Sequence, residues 1–499
     1  MSARSVGVGS AVAVLALGLG LLLVLLRGDP YVASDQGVFL SVAGRMLDGD
    51  RLYADVFDNK DPLFFYTYAG ALWVGGWRGP FLLDAVWLGV AGVAVGLLVR
   101  ALGAPRSAVV ASFFVYPLAL AAGWYLVGMS MLAALAFAPL APWLWLRGRF
   151  AWGGASVVAV MLLKLNLAPL ALLPIGALLV VGAPERPRRR ALTRGALGLG
   201  GALATAAAIL GLRGELRAYL GVIAYNVHYS SARTAADGTV GRVREHLDVA
   251  WEYFYRAGRW QAPLALLVLM AFGVAVALAW ARGTRTERLL GAVAAATLAG
   301  ALLVVATTAY SGEHLQLLAY PATLVAATLI WRADASFGRT SGAIAATVVL
   351  SFAVWTTFKW DNSRDLSPLW SQDPISPGAI ALERARERFE PGAPHVRYMV
   401  LGSNSEGGHA AFIGREFDLT CRYFQLYPFS TSEQFDETSA CAARERPTYV
   451  LVTLGFFEPM GYAPRWDAFV RRSRRLLDAH YELVETEHPG VQVWRRRSA

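Results

Sequence analysis

Charge is scarce in this chain: of 499 residues only 16% are Asp, Glu, Lys or Arg, while 56% are hydrophobic. A soluble domain of this size has no interior large enough for so much apolar surface, so the scarcity excludes an ordinary soluble protein and makes a bilayer the solvent. No convincing small-residue cleavage site follows the first apolar stretch, which is therefore expected to be a retained helix and not a signal peptide. Cysteine is rarer still, with only Cys421 and Cys441, both near the C-terminal end. Their spacing fits a disulfide closing a loop of about twenty residues in an oxidising compartment, and it fits two free thiols equally well.

What the chain does have is a series of apolar runs of roughly 17 to 20 residues, the length that crosses a hydrocarbon core of about 30 Å as a helix. They predict an α-helical polytopic membrane protein of about eleven transmembrane helices, over residues 10–26, 81–99, 107–123, 127–146, 150–165, 167–183, 195–212, 261–280, 289–307, 315–331 and 341–358. The net charge of +10 does not point to nucleic acid. Arg4, Arg100, Arg106, Arg147, Arg149, Arg186, Arg188, Arg189, Arg190, Arg194, Arg282, Arg285, Arg288, Arg332 and Arg339 alternate onto one side, accompanied there only by Glu185, Glu287 and Asp334, and the positive-inside rule makes that side the cytoplasm. The expected product is a multi-pass plasma-membrane protein with a cytoplasmic N-terminus. Residues 27–80, residues 213–260 and everything after about 359 then lie outside.

The C-terminal segment changes character. After Lys359 hydropathy falls, and strand-like runs appear at 396–401, 448–453, 481–485 and 491–494, the last two flanking the turn signal His488-Pro489-Gly490. Helices are expected over 377–389 and 464–480. The domains read as 1–358, transmembrane, with 27–80 as a first external loop carrying juxtamembrane helices, and 359–499, an external soluble α/β domain. Gly402-Ser403-Asn404-Ser405-Glu406-Gly407-Gly408 lacks both the GxxxxGK[ST] lysine and the GxGxxG spacing, so it is read as a Gly-rich surface loop.

The first external loop carries the chemistry. After Ser34, a plausible N-cap, Val38, Phe39, Val42, Met46 and Leu47 recur at helical spacing and predict an amphipathic helix over 35–47. Asp35 sits in its first turn, where the dipole and free N–H groups favour an ionised carboxylate. Such a group accepts a proton from a substrate hydroxyl; it also serves simply as a cap. Asp55, Asp58, Lys60 and Asp61 follow within the same loop. Pro62 then opens a segment to Trp77 that reaches only about 24 Å as a helix, and its Phe64, Phe65, Tyr66, Tyr68, Trp73 and Trp77 suit an interfacial position.

Here the chain resembles the GT-C superfamily of integral-membrane glycosyltransferases, in particular the branch of protein O-mannosyltransferases and lipid A aminoarabinose transferases. Members carry an acidic pair after the first helix, then a lysine followed by prolines and aromatics. Asp35 matches the first acid; Lys60, with Asp58 before it and Pro62-Leu63-Phe64-Phe65-Tyr66 after it, matches the lysine motif; Gly312-Glu313-His314 matches a polar cluster at an external helix mouth. Gln36 stands where relatives often have a second acid, and Asp61 replaces the first proline after the lysine. The missing acid leaves no support for a divalent metal, which wants several carboxylates.

The resemblance implies a GT-C-like fold and a polyprenyl-phosphate-linked sugar as donor, among membrane lipids, with a glycan, lipid or protein as acceptor. It implies Asp35 as catalytic base, Lys60 and His314 as ligands of the donor phosphate, and Asp58 as their support. On the residues alone, Lys60 pairing with Asp58 or Asp61 remains an alternative, as does an interfacial role for His314. Tyr225, Asn226, His228 and Tyr229 suit sugar stacking or an interface, and Lys164 and Asn166 break two apolar runs at an apparent external turn. The competing functions are a lipid-linked glycan ligase or polymerase built on 213–260, and a transporter or non-catalytic assembly protein of the cell envelope. A transporter is disfavoured because neither midplane polar residues nor internal repeats are evident.

Overall fold

The computed structural model describes residues 3–27, 35–121, 130–181, 188–234, 273, 283–307, 316–358, 377–393, 395–402, 417–424, 426, 430–453, 456–457, 464–485 and 491–497. In chain order its helices are α1 (Ala3–Arg27), α2 (Asp35–Leu47), α3 (Pro62–Gly75), α4 (Gly79–Ala101), α5 (Arg106–Ala121), α6 (Ser130–Phe137), α7 (Leu140–Leu146), α8 (Phe150–Leu163), α9 (Pro169–Val181), α10 (Arg188–Leu212), α11 (Leu216–Thr234), α12 (Arg285–Thr307), α13 (Ala319–Phe337) and α14 (Arg339–Phe358). Then follow α15 (Pro377–Phe389), β1 (Val396–Leu401), β2 (Phe417–Leu419), α16 (Ser432–Glu445), β3 (Tyr449–Thr453), α17 (Pro464–His480), β4 (Tyr481–Glu485) and β5 (Val491–Arg496). The chain forms two compact units, one of residues 1–28, 81–208 and 234–364, the other of residues 29–80, 209–233 and 365–499. A boundary at 358 is one of hydropathy; these units are drawn by packing.

The first unit is helical. Ten of the predicted spans contain helix over their described residues, and of 261–280 only Gly273 is described. Among the described residues, α4, α10 and the stretch Arg285–Val304 of α12 are both long and apolar enough to cross a membrane; other apolar helices, such as α5, α8 and α9, are shorter. The run at 127–146 is broken into α6 and α7 at Pro139, whose ring and missing N–H stop a helix from continuing. Small residues set the close helix crossings. A Cβ on Gly20 of α1 would sit 2.0 Å from the Ala85 carbonyl oxygen of α4, and one on Gly198 of α10 would sit 1.9 Å from that of Ala151 in α8. Lys164 and Asn166 do lie at a turn, between α8 and α9.

The second unit combines a five-stranded sheet with α2, α3 and α11. Strand order is β2-β1-β3-β5-β4; β1 runs parallel to β2 and β3, while β5 is antiparallel to β3 and β4. All five residues of β3 are buried, as its central place requires. One face packs on α17 through Trp466, Phe469, Val470 and Leu477, positions at helical spacing. The Cys421–Cys441 question is settled in favour of a disulfide, with Cα atoms 5.8 Å apart. Of the Gly-rich loop only Gly402 is described: its φ of +144° and a notional Cβ 1.8 Å from Thr453 Oγ1 explain that glycine by a close backbone approach.

The helix expected over 35–47 is α2 (Asp35–Leu47). Its Val38, Phe39, Val42, Ala43 and Met46 are buried and pack on α3. The aromatics of α3 divide between its two sides. Phe64, Phe65 and Tyr68 are buried, with Phe39 edge-on to all three at ring separations of 4.9, 5.9 and 6.4 Å. The cause is that α3 is apolar all round and gives one side to α2, leaving Trp73, 77% exposed, to face outward.

Candidate active site

The candidate site is the loop between α2 and α3, and its shape follows from buried polar contacts. Asp58 is 6% exposed, and its Oδ1 accepts the Lys60 N–H at 2.8 Å, a carboxylate turn of the kind Asp forms with the backbone two residues on. Tyr53 adopts a left-handed backbone, φ 64°, an uncommon conformation for a bulky residue. Its N–H reaches the Val56 carbonyl at 2.7 Å and its hydroxyl donates to the Lys60 carbonyl at 2.7 Å. The Lys60 ammonium then lies 5.6 Å from the centre of the Phe39 ring, at cation–π range, and donates to Asn59 Oδ1 at 2.9 Å.

Helix α11 holds this loop in place with one face. Tyr219 donates its hydroxyl to Asp61 Oδ1 at 2.7 Å and stacks on Tyr53 at 5.4 Å; Asn226 Nδ2 donates to the Asn59 carbonyl at 2.8 Å; Tyr225 meets Phe57 edge-on at 5.5 Å. Positions 219 and 226 are seven apart, about two turns, so they share a face. Glu215, fully buried, secures the start of α11: it accepts the Leu52 N–H at 3.2 Å, Arg213 Nε at 3.0 Å and the Tyr66 hydroxyl. A buried carboxylate is tolerable only with such partners.

The tyrosines of this network are held neutral. Burial, then the negative charge of Asp61, pushes Tyr53 and Tyr219 above the ordinary phenol value; burial, then the hydrogen bond to Glu215, does the same for Tyr66. They remain hydroxyl donors throughout the physiological range.

No family model matches this chain, and no curated protein matches it. Two solved structures are similar in outline. One is a crystal structure of ArnT from Cupriavidus metallidurans bound to undecaprenyl phosphate, with TM-score 0.49 and 13% identity over 100% of this chain and 99% of that one. The other is the same protein in the apo state, with TM-score 0.45 and 13% identity over 99% of this chain and 98% of that one. At these values the likeness identifies neither fold nor activity.

Of the residues singled out in the sequence, the structure brings Asp58 and Lys60 together with Phe39, and places Asp35 as the first residue of α2. His314, with Gly312 and Glu313, lies outside the described residues. Tyr225 and Asn226 pack against the loop from α11, which makes the described part of 213–260 a support. Tyr219 and Glu215 were not legible as site residues, because their partners lie 158, 163 and 149 positions away and no local pattern announces them.

Among the described residues no three of His, Cys, Asp and Glu cluster in a way that would hold a metal ion. A cleft of about 1240 Å³ in the same unit runs beside α2, between Trp73 and Arg397, but Lys60 is not among its lining residues. Among its lining charges Arg45 pairs with Asp50, Arg397 with Glu445 and Arg422 with Glu437.

Proposed function

We propose that this chain is a membrane glycosyltransferase that moves a sugar from a polyprenyl-phosphate donor to a hydroxyl acceptor on the external face, with inversion at the anomeric carbon. The observation that carries the reading is the Lys60 ammonium seated over Phe39, four residues along α2 from Asp35. Four residues of helix rise about 6 Å, which supports assigning Lys60 and the start of α2 to one site. Asp58 fixes the turn that presents the lysine.

In this mechanism Lys60 neutralises the phosphate leaving group, a compact charge worth most where water is partly excluded. Asp35, in the first turn of α2, takes the proton of the acceptor hydroxyl as its oxygen attacks the anomeric carbon. The bond from that carbon to the phosphate oxygen breaks, and its electron pair leaves with the phosphate. Attack opposite the leaving group inverts configuration. His314 is assigned to the donor phosphate on the family resemblance alone. The N-terminus is cytoplasmic, the C-terminal domain is outside, and the acceptor is a glycan, lipid or protein of the envelope.

The test is transfer of radiolabelled sugar from polyprenyl-phosphate donors to envelope acceptors by the wild type, Asp35→Asn and Lys60→Ala at matched membrane expression. Lost turnover in Asp35→Asn with donor binding retained supports the base. Unchanged turnover removes Asp35 from the mechanism, and no transfer by the wild type with any donor sinks the reading.

A further inference from the structure

We propose that residues 421–423 act as a clamp that sets the Lys60 loop, with Arg422 as its positioning residue; the proposal rests on the reading of Lys60 given above. Cys421 has a left-handed backbone, φ 70°, rare for a residue with a side chain, and the disulfide to Cys441 ties it to α16. Its carbonyl accepts Arg45 Nη1 from α2 at 2.7 Å. Arg422 then grips the loop twice. Its carbonyl accepts the Phe57 N–H at 3.0 Å, and its Nε donates to the Tyr53 carbonyl at 2.8 Å.

The guanidinium is itself held in register. Nη1 reaches Glu437 of α16 at 3.4 Å, and the group lies 4.9 Å from the centre of the Tyr423 ring, which packs on Phe57 at 4.9 Å. Tyr53, whose carbonyl Arg422 holds, gives its hydroxyl to the Lys60 carbonyl. One residue therefore separates the clamp from the lysine. Contacts of this kind from a sheet-bearing segment to a loop that otherwise rests on helices orient a functional side chain at a distance. Arg suits the task better than Lys, since its planar fork serves two partners at once.

The test uses the full-length protein with Arg422→Ala, Arg422→Lys and the Cys421→Ser/Cys441→Ser pair, each assayed well below its own Tm. Two quantities are read: KM and kcat for a polyprenyl-phosphate sugar donor, and the rate of tryptic nicking after the exposed Arg51, detected as a fragment beginning at Leu52. Arg422→Ala is expected to raise donor KM about tenfold, the size of one charge-assisted hydrogen bond, and to speed the nick. Arg422→Lys recovers part of both, and the double-serine variant falls between. A lowered Tm with unchanged KM and unchanged nicking would overturn the clamp, since it would show Arg422 to be structural only. Lys60→Ala in the same assay separates the two ideas: if it lowers turnover while Arg422→Ala leaves KM intact, the clamp falls and the lysine stands; if Arg422→Ala raises KM while Lys60→Ala does nothing, the clamp holds and another loop residue meets the donor.

Discussion

The Tyr219 hydroxyl donates to the Asp61 carboxylate at 2.7 Å, joining the first turn of α11 to the residue that precedes α3. Asp61 occupies the N-cap position of α3 yet makes no side-chain cap bond; its buried oxygen turns to the tyrosine. Tyr219→Phe removes that donor while keeping the ring that stacks on Tyr53, and is expected to cost about 1–3 kcal/mol. Thermal unfolding in detergent measures the cost, and an unchanged Tm would show that the bond adds nothing to the loop.

Glu215 is more exacting, because one buried carboxylate serves a main-chain amide, a guanidinium and a phenol. Glu215→Ala strands all three donors and is expected to destabilise by about 2–4 kcal/mol. Glu215→Gln keeps one acceptor oxygen and should cost about half as much. The ranking of the two variants in chemical denaturation is the check; equal losses would mean that the charge of Glu215, and not its geometry as an acceptor, holds α11.

The contrast between these two residues and α2 shows what a sequence exposes. The bounds of α2 were legible because the apolar face Val38, Phe39, Val42, Met46 recurs locally, and β1, β3 and the β4–β5 pair were legible as short apolar runs beside turn residues. Strand β2 was not, for three residues at a sheet edge make no pattern. Helix α16 carries a start signal in the sequence, the capping box of Thr431 and Gln434 at the spacing that marks a helix start, but few apolar residues follow it to give a helical period. The polar grip on the Lys60 loop was illegible for a different reason. It joins α11 to residues some 150 positions away, and neither periodicity nor composition carries pairing over such distances.

The raised tyrosines make stability sensitive to alkali. A phenol whose folded value is raised contributes stability below the ordinary value of 10 that is lost as pH climbs through the folded value. The unfolded chain releases protons there that the folded one keeps. Tyr423, pushed up by burial to about 12, sets a window from pH 10 to about 12. Tyrosinate absorbance should appear late and together with unfolding, and Tyr423→Phe should flatten the loss. Early, reversible ionisation of every tyrosine would contradict the burial of these side chains.

Arg147 and Arg190 test the sidedness on which the external site depends. Both are exposed. Arg147 closes α7 with its backbone N–H, which alanine retains, and Arg190 lies in the first turn of α10, where the helix dipole disfavours a cation. The dipole of α7 favours a cation at Arg147 only weakly at an exposed helix end, and on the proposed topology both charges serve retention on the cytoplasmic side, with Arg188, Arg189 and Arg194 remaining to hold it when Arg190 is lost. Single alanine variants should change turnover by less than about twofold, as exposed substitutions away from a site do. Turnover abolished in correctly inserted protein would put these arginines on the face where the reaction runs, and with them the short basic loops that define the inside.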